Sequence, residues 1–265
     1  MIRTVKTDTL EYLVADGIGV PHCFTTRFGG VSGGAFASLN LGWNRGDSEE
    51  NVVKNYHILA SAIGFDTEKL VLTRQTHSDI VRQVTAADAR GFDNHKYPEC
   101  DALITDQPGC ALAIFTADCT PLIFWDPVTG AVGAAHAGWR GTVSKIGAKT
   151  VAAMVAAYGC KPENIHAAIG PNIAMCCFET DEDVPLAVRA AYGPKAEPFI
   201  MQKGSKYFLD LKAINALALQ EAGVTQTEIS DACTSCQHHR FWSHRVTGGN
   251  RGSQGAIILC KGGAL

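Results

Sequence analysis

Between residues 101 and 138 the chain carries four apolar runs in close succession: DALIT, ALAIFTADC, PLIFWDP and GAVGAAHAG. They are nearly continuous rather than alternating. A strand with one face in water alternates apolar and polar residues, so continuous runs imply strands covered on both faces. KLVLTRQTH (69–77), DIVRQVT (79–85), NIHAAIGPNI (164–173) and a closing AIILC (256–260) read as further strands. Tight connections such as DPVTG (126–130) join some of them directly. Cover on both faces then has to come from a second sheet or from helices.

Helical segments are present to supply it. Val52, Val53, Tyr56, Leu59, Ala60 and Ile63 recur at helical spacing over 48–63, where Ser48, Glu49 and Glu50 suit a start and Gly64 a stop. A second helix is predicted over 142–158, with Val143, Ile146, Thr150, Val151, Met154, Val155 and Tyr158 on its buried side. Gly159 and Pro162 end it. Two more are expected near 181–192 and 212–222. Strands mixed with helices make the expected class α+β or mixed α/β, a sandwich.

At 265 residues, with 46% hydrophobic and 18% charged, the chain has the composition of an ordinary soluble domain. No repeat or low-complexity linker divides it, so one domain over 1–265 is expected. The formal net charge of -3 and the lack of a basic stripe argue against a nucleic-acid partner. The longest apolar runs have strand length, well short of a membrane span. Ten cysteines accompany a start (MIRTVKTDTLEYLVADGIGV) unlike a secretory leader, which points to reduced thiols and a cytoplasmic location.

Three residues at the ends of apolar runs carry chemistry: His77 in QTHSD, Cys119 in TADC and His136 in AAHAG. Two imidazoles and a thiolate suit zinc, and three protein ligands leave a fourth position open. The trio is separated by 41 and then 16 residues, unlike the close pairs of a zinc finger. Ligands on different strands imply a site assembled by the fold. Taken singly, each residue has a plainer reading, as a hydrogen-bonded histidine or a small core cysteine. Near the C-terminus CTSCQHHRFWSHR (233–245) offers a C-x-x-C and three histidines, in keeping with structural zinc, a redox dithiol or an ancillary loop over the site. The Gly/Ser/Thr-rich segment 21–42 reads either as a surface loop or as one that lets a ligand approach, with Arg27 and Asn40 as donors. H-E-x-x-H, the nucleobase-deaminase motif and a phosphate loop are all missing. GGNRGSQG (248–255) precedes a strand instead of opening a helix, so it is no dinucleotide fingerprint.

The ordered set TTRFGGVS…SLNLG, QTHSD, DALIT, TADCTPLIF, AAHAGWRGT, IGPNI…CCFE and FWSHR…TGGNRG resembles the polyphenol oxidase/laccase-domain (YfiH-like) family over nearly the whole chain. That family includes peptidoglycan editing factors and purine nucleoside phosphorylases. The resemblance implies a single-domain four-layer αββα sandwich and a metal held by His77, Cys119 and His136. It also implies phosphorolysis of adenosine, inosine, guanosine and methylthioadenosine to base and ribose 1-phosphate, and deamination of adenosine. The implied metal is Zn2+, with Cu2+ as the other ion these donors accept. The family's laccase label sits poorly on the residues: nine histidines with no H-x-H cannot build a copper cluster, and zinc has no redox chemistry. Ser78 stands where the family commonly has Gly, and Cys100, Cys110, Cys160, Cys176 and Cys260 read as ordinary buried thiols.

For phosphate, Arg27, Arg140 and Arg245 are the candidates, because guanidinium matches phosphate in a two-pronged geometry. Asn40 joins them as a donor. Asp101 and Asp118 are candidates to orient histidines or move protons, or to cap turns. Three other activities use the same residues. One is an amidase removing misincorporated L-Ser from UDP-MurNAc-L-Ser, and another a non-catalytic zinc-binding protein. The last is a metal-free hydrolase with Cys119 as nucleophile. The expected partners are small-molecule purine nucleosides and phosphate, with the protein a monomer or weak homo-oligomer.

Overall fold

The computed structural model describes residues 1–263, so the last two residues of the expected 1–265 domain lie outside the described residues. Two six-stranded sheets face each other. The first runs, edge to edge, Ile2–Lys6, Glu11–Ala15, His22–Thr25, Gln254–Leu259, Ala111–Thr116 and Leu70–Leu72. The second runs Gln226–Ile229, His166–Ile169, Thr120–Trp125, Val132–Ala137, Ala102–Thr105 and Val81–Gln83. The continuous apolar runs occupy the centre of both, where every residue of Val132–Ala137 and of Gln254–Leu259 is buried. Ile114, Ile123, Val132 and Ile257 share the core between the sheets.

Helices close the outer faces. Helix Glu49–Ile63 turns Val52, Tyr56 and Leu59 into the core of the first sheet. It stops at Gly64, whose φ of 85° lets the chain turn where a side chain would be strained. On the far side Ile146–Tyr158 lays Ile146, Val151 and Met154 against Ala135 and Ile104, and Leu211–Glu221 adds Leu219. The order is helix, sheet, sheet, helices: a four-layer αββα sandwich.

Several boundaries differ from the sequence reading. The helix expected over 142–158 is broken, with a short turn of helix at Trp139–Val143 and a restart at Ile146, because Lys145 adopts φ 58°. Val155 faces solvent at 37% exposure instead of joining the buried side. Helices Asp183–Tyr192 and Leu211–Glu221 fall close to their expected places. The strands Ile2–Lys6 and Glu11–Ala15 have mixed burial, which gave them no apolar run to read. A small third sheet, Glu179–Thr180, Lys206–Leu209 and Ile200–Lys203, has its own core around Val188, Leu209 and Ile214.

Segment 21–42 is not a floppy surface loop. Its first part is the strand His22–Thr25, and Leu39, Asn40 and Leu41 are fully buried beyond it. The buried Asn55 side chain holds it down, accepting from Val31 N and donating to Asn40 O and Ser32 Oγ.

Candidate metal centre

The first sheet hands the chain to the second at two places, and both carry a candidate ligand. Cys119 sits in the short corner between strands Ala111–Thr116 and Thr120–Trp125, which belong to different sheets. His77 lies on the connection from Leu70–Leu72 to Val81–Gln83, which makes the same crossing. Each corner turns through a left-handed residue, Asp118 at φ 89° and His77 at φ 59°. The third ligand is within the second sheet, where His136 is 3% exposed. The ligand atoms of all three lie within 4.8 Å of one another, with His77 Nε2 and Cys119 Sγ 3.9 Å apart.

Asp101 organises this centre. Ala102 pairs with Ala135, so Asp101 stands opposite His136 across the ladder. Its carboxylate accepts from His136 Nδ1 at 2.8 Å, which leaves Nε2 for the ligand point. The same carboxylate accepts from the amides of Thr76, His77 and Ser78 at 3.1, 3.2 and 2.7 Å, which sets the His77 turn. Ser78 spends its hydroxyl on Asp101 at 2.7 Å, so it supports the turn instead of facing the centre. Gly138 completes the packing, because a Cβ there would lie 2.7 Å from His77 Cδ2 and 3.3 Å from Cys119 Sγ. We expect Gly138→Ala to push His77 off the ligand point and weaken zinc affinity by about 10- to 100-fold, measured by competition with a chromogenic chelator.

The charges at the centre depend on one another. Burial opposes ionisation of Cys119, but the facing His136 charge and hydrogen bonds from His136 and His77 outweigh it and bring the thiol down to about 6. Burial likewise opposes the His136 imidazolium, yet the Cys119 thiolate and Asp101 carboxylate raise it to about 9. Asp101 is also desolvated, and its bonds from His136 and Ser78 still lower it to about 2. His136 therefore contributes stability below its unfolded value that is lost as pH rises through about 9. Cys119 contributes stability at high pH that is lost as pH falls through about 6. Without metal, the thiolate–imidazolium pair belongs to the window between them. A metal must displace the His136 proton, so zinc uptake by this centre at pH 7.5, in a chain with Cys233 and Cys236 replaced by Ser, should release about one proton, measured by calorimetry in buffers of different ionisation enthalpy.

The centre forms the floor of a cleft of about 130 Å³ walled by Trp43, Arg45, Tyr56, Phe92, Phe115 and Arg251. Arg251 is only 8% exposed, its Nη1 donates to Gly252 O and Ser253 Oγ, and its Nε is buried with no partner among the described residues. Burial and the neighbouring Arg45 charge lower it to about 10. Two guanidinium groups, one with an unused donor, make an anion-accepting wall.

The other arginines singled out by sequence are spoken for elsewhere. Arg27 stacks over Trp242 at 4.0 Å and donates to Ala37 O and His238 O. Arg140 is exposed over Trp139, and Arg245 donates to Cys177 O and Glu179 O. None of the three lines the cleft. Asn40 is fully buried, and its Oδ1 accepts from Gly42 N and Ser253 N, so it shapes the wall from behind. Asp118 works the same way, accepting from Thr234 Oγ1, Ser243 Oγ and Arg245 N, which fastens segment 233–245 to the Cys119 corner. Arg45 and Arg251 escaped the sequence reading. Arg251 lies within GGNRGSQG, a glycine-rich stretch in which nothing local marks an arginine as facing a cleft.

Comparison with known proteins agrees with this architecture. Over 249 residues the chain is 42% identical to a purine nucleoside phosphorylase of Deinococcus radiodurans, covering 94% of this chain and 92% of that one. It is 35% identical to an adenosine deaminase, RL5, of an unknown prokaryotic organism, covering 94% and 96%. The crystal structure of YlmD from Geobacillus stearothermophilus superposes with a TM-score of 0.91 at 35% identity, covering 97% of this chain and 98% of that one. Residues 21–261 match the family described as multi-copper polyphenol oxidoreductase laccase. With that match across most of the chain and relatives this similar along their full length, the protein belongs to the laccase-domain, YfiH-like family.

Proposed function

We propose that the chain is a metal-dependent purine nucleoside phosphorylase that also deaminates adenosine. The observation that carries this reading is the convergence of His77, Cys119 and His136 beneath a wall holding Arg45 and Arg251. Phosphorolysis joins a phosphate oxygen to the anomeric carbon and breaks the glycosidic bond, the electron pair leaving on the purine. Arg45 and Arg251 are the groups to hold the phosphate dianion, and the spare Arg251 Nε supplies one of the donors. Phe92, Phe115 and Trp43 offer apolar faces to the base. The donor set of two imidazoles and one thiolate fits Zn2+, and Cu2+ second. When bound, the ion supplies a Lewis acid with one open position. Asp101 keeps His136 in the tautomer that presents Nε2, and Gly138 leaves room for His77 to reach the same point. The names of the relatives from Deinococcus radiodurans and RL5 support the two activities. In this reading residues 1–265 act as one catalytic domain on small molecules in a reducing cytoplasm.

The test is phosphate-dependent release of hypoxanthine from inosine by the zinc-loaded protein, alongside its metal content. Release that needs both phosphate and metal is expected. A metal-loaded protein that leaves inosine intact but frees serine from UDP-MurNAc-L-Ser would overturn the assignment.

One further observation favours a second reading. Cys119, His136 and Asp101 stand in the order nucleophile, base and orienting carboxylate. A thiolate hydrolase built on them would keep its activity under chelation, where the metal-dependent enzyme would lose it, while alkylation of Cys119 would abolish both.

A further inference from the structure

The C-x-x-C at 233–236 meets a second pair of cysteines about sixty residues earlier in the chain. Cys176 was expected to be an ordinary buried thiol, but it is exposed, and its Sγ lies 3.6 Å from Cys236 and 3.7 Å from Cys177. Cys177 and Cys236 are 3.3 Å apart, and the sulfurs of all four, Cys233 included, lie within 4.8 Å of one another. The other cysteines of that group, Cys100, Cys110, Cys160 and Cys260, are buried as expected.

Apolar burial explains why buried thiols pack together, but not why two exposed thiols should converge with two others at one point. The spacing is that of metal ligands. A tetrahedron with Zn–S bonds of about 2.3 Å has sulfur–sulfur edges of about 3.8 Å, whereas a disulfide brings its sulfurs to about 2.05 Å. The surroundings also suit thiolate ligands. The amides of Ala174 and Cys236 donate to Cys233 Sγ at 3.4 and 3.5 Å, the outer hydrogen bonds that steady a metal-bound sulfur. Lys212, 6% exposed, donates to Ser230 O and Ala232 O just before Cys233, and Arg245 donates to Cys177 O. Two cations thus flank a cluster that would carry a net double negative charge with a divalent ion.

We propose that Cys176, Cys177, Cys233 and Cys236 form a second metal site, a structural tetrathiolate centre for Zn2+ separate from the cleft. Binding exchanges four thiol protons for four Zn–S bonds, with no change of oxidation state. The centre would join two loops that both hold the Cys119 corner. Ile173 N donates to Asp118 O at 2.9 Å, and Thr234 Oγ1 donates to Asp118 Oδ1 at 2.6 Å. Its role is that of a clamp, and all four coordination positions are taken by protein.

The proposal does not depend on what the cleft does, and its test removes the cleft's metal first. The full chain carrying Cys119→Ala is purified and titrated with Co2+ alone, then with Zn2+. Expected are one tightly held equivalent per chain, tetrahedral d–d bands with intense thiolate charge transfer, and Co2+ displacement by Zn2+. In the otherwise native chain, Cys176→Ser and Cys236→Ser should each remove that signal, lose one of two bound zinc ions and lower Tm. They should leave the weaker, histidine-rich spectrum of the cleft. Cys119→Ala protein that shows no sulfur-rich Co2+ spectrum would overturn the proposal. So would four thiols that react with a thiol reagent equally fast with and without zinc, or a Cys177–Cys236 disulfide in freshly purified protein.

Discussion

Cys119→Ala should abolish phosphorolysis of inosine, with kcat/KM falling by at least about a thousandfold, or ~4 kcal/mol of transition-state stabilisation. The substitution removes the only sulfur of the trio and leaves two imidazoles, of which His77 is exposed and on a corner. Two neutral ligands hold zinc far less tightly than two plus a thiolate, so the cleft's metal should go with the activity. The substitution also removes the thiolate that pairs with His136, so Tm of the metal-free protein should fall at pH values between about 6 and 9, where that pair contributes stability. Steady-state kinetics, metal analysis and a melting curve on the same preparation check all three. Retention of full phosphorolysis by this variant would remove the metal-dependent assignment.

Asp101→Ala is expected to give the largest loss of stability of any single change at the centre. Asp101 is fully buried and accepts from three backbone amides, the Ser78 hydroxyl and His136 Nδ1. Its removal leaves those donors without their acceptor and takes from the His136 charge one of its two anionic neighbours, which together amount to about 3–5 kcal/mol. In thermal unfolding that reads as a fall of about 10 °C in Tm. Asp101→Asn separates the two roles. Its amide keeps the shape and one acceptor oxygen, so most of the stability returns, but it no longer compels His136 to present Nε2. Zinc affinity should then stay about 10- to 100-fold low. Equal recovery of affinity and stability in Asp101→Asn would mean that the carboxylate serves the turn alone.

The strands and their layering were legible because burial on both faces leaves a direct mark, the unbroken apolar run. Val132–Ala137 and Thr120–Trp125 are where that mark is strongest, and they lie at the centre of the second sheet. The edge strand Ile2–Lys6 and its neighbour Glu11–Ala15 are partly wet, and partial wetting leaves no such mark. The helix break at Lys145 was equally silent, since a left-handed residue other than glycine has no signature in composition.

The residues of the centre were legible only as a set: each alone reads as an ordinary histidine or core cysteine, but two imidazoles and a thiolate at the ends of apolar runs together match a metal's donors. The anion wall was not. A guanidinium reads the same in a stacked, structural position such as Arg27 over Trp242 as in a cleft such as Arg251. Only the path of the backbone decides which of the two it occupies. The same limit applies to cysteines, because the C-x-x-C at 233–236 announces itself while its partners at 176–177 look like any other thiols.

Residue type and local periodicity were enough for the strands, the helices and the mixed α/β class, and the ordered motifs were enough for the family and for His77, Cys119 and His136 as candidate ligands. Tertiary structure alone decided that Asp101 orders the centre, that Arg45 and Arg251 face the cleft, and that four distant cysteines meet. Those facts depend on how two sheets register and cross at Asp118 and His77, and contacts between residues far apart in the chain leave no trace in local pattern.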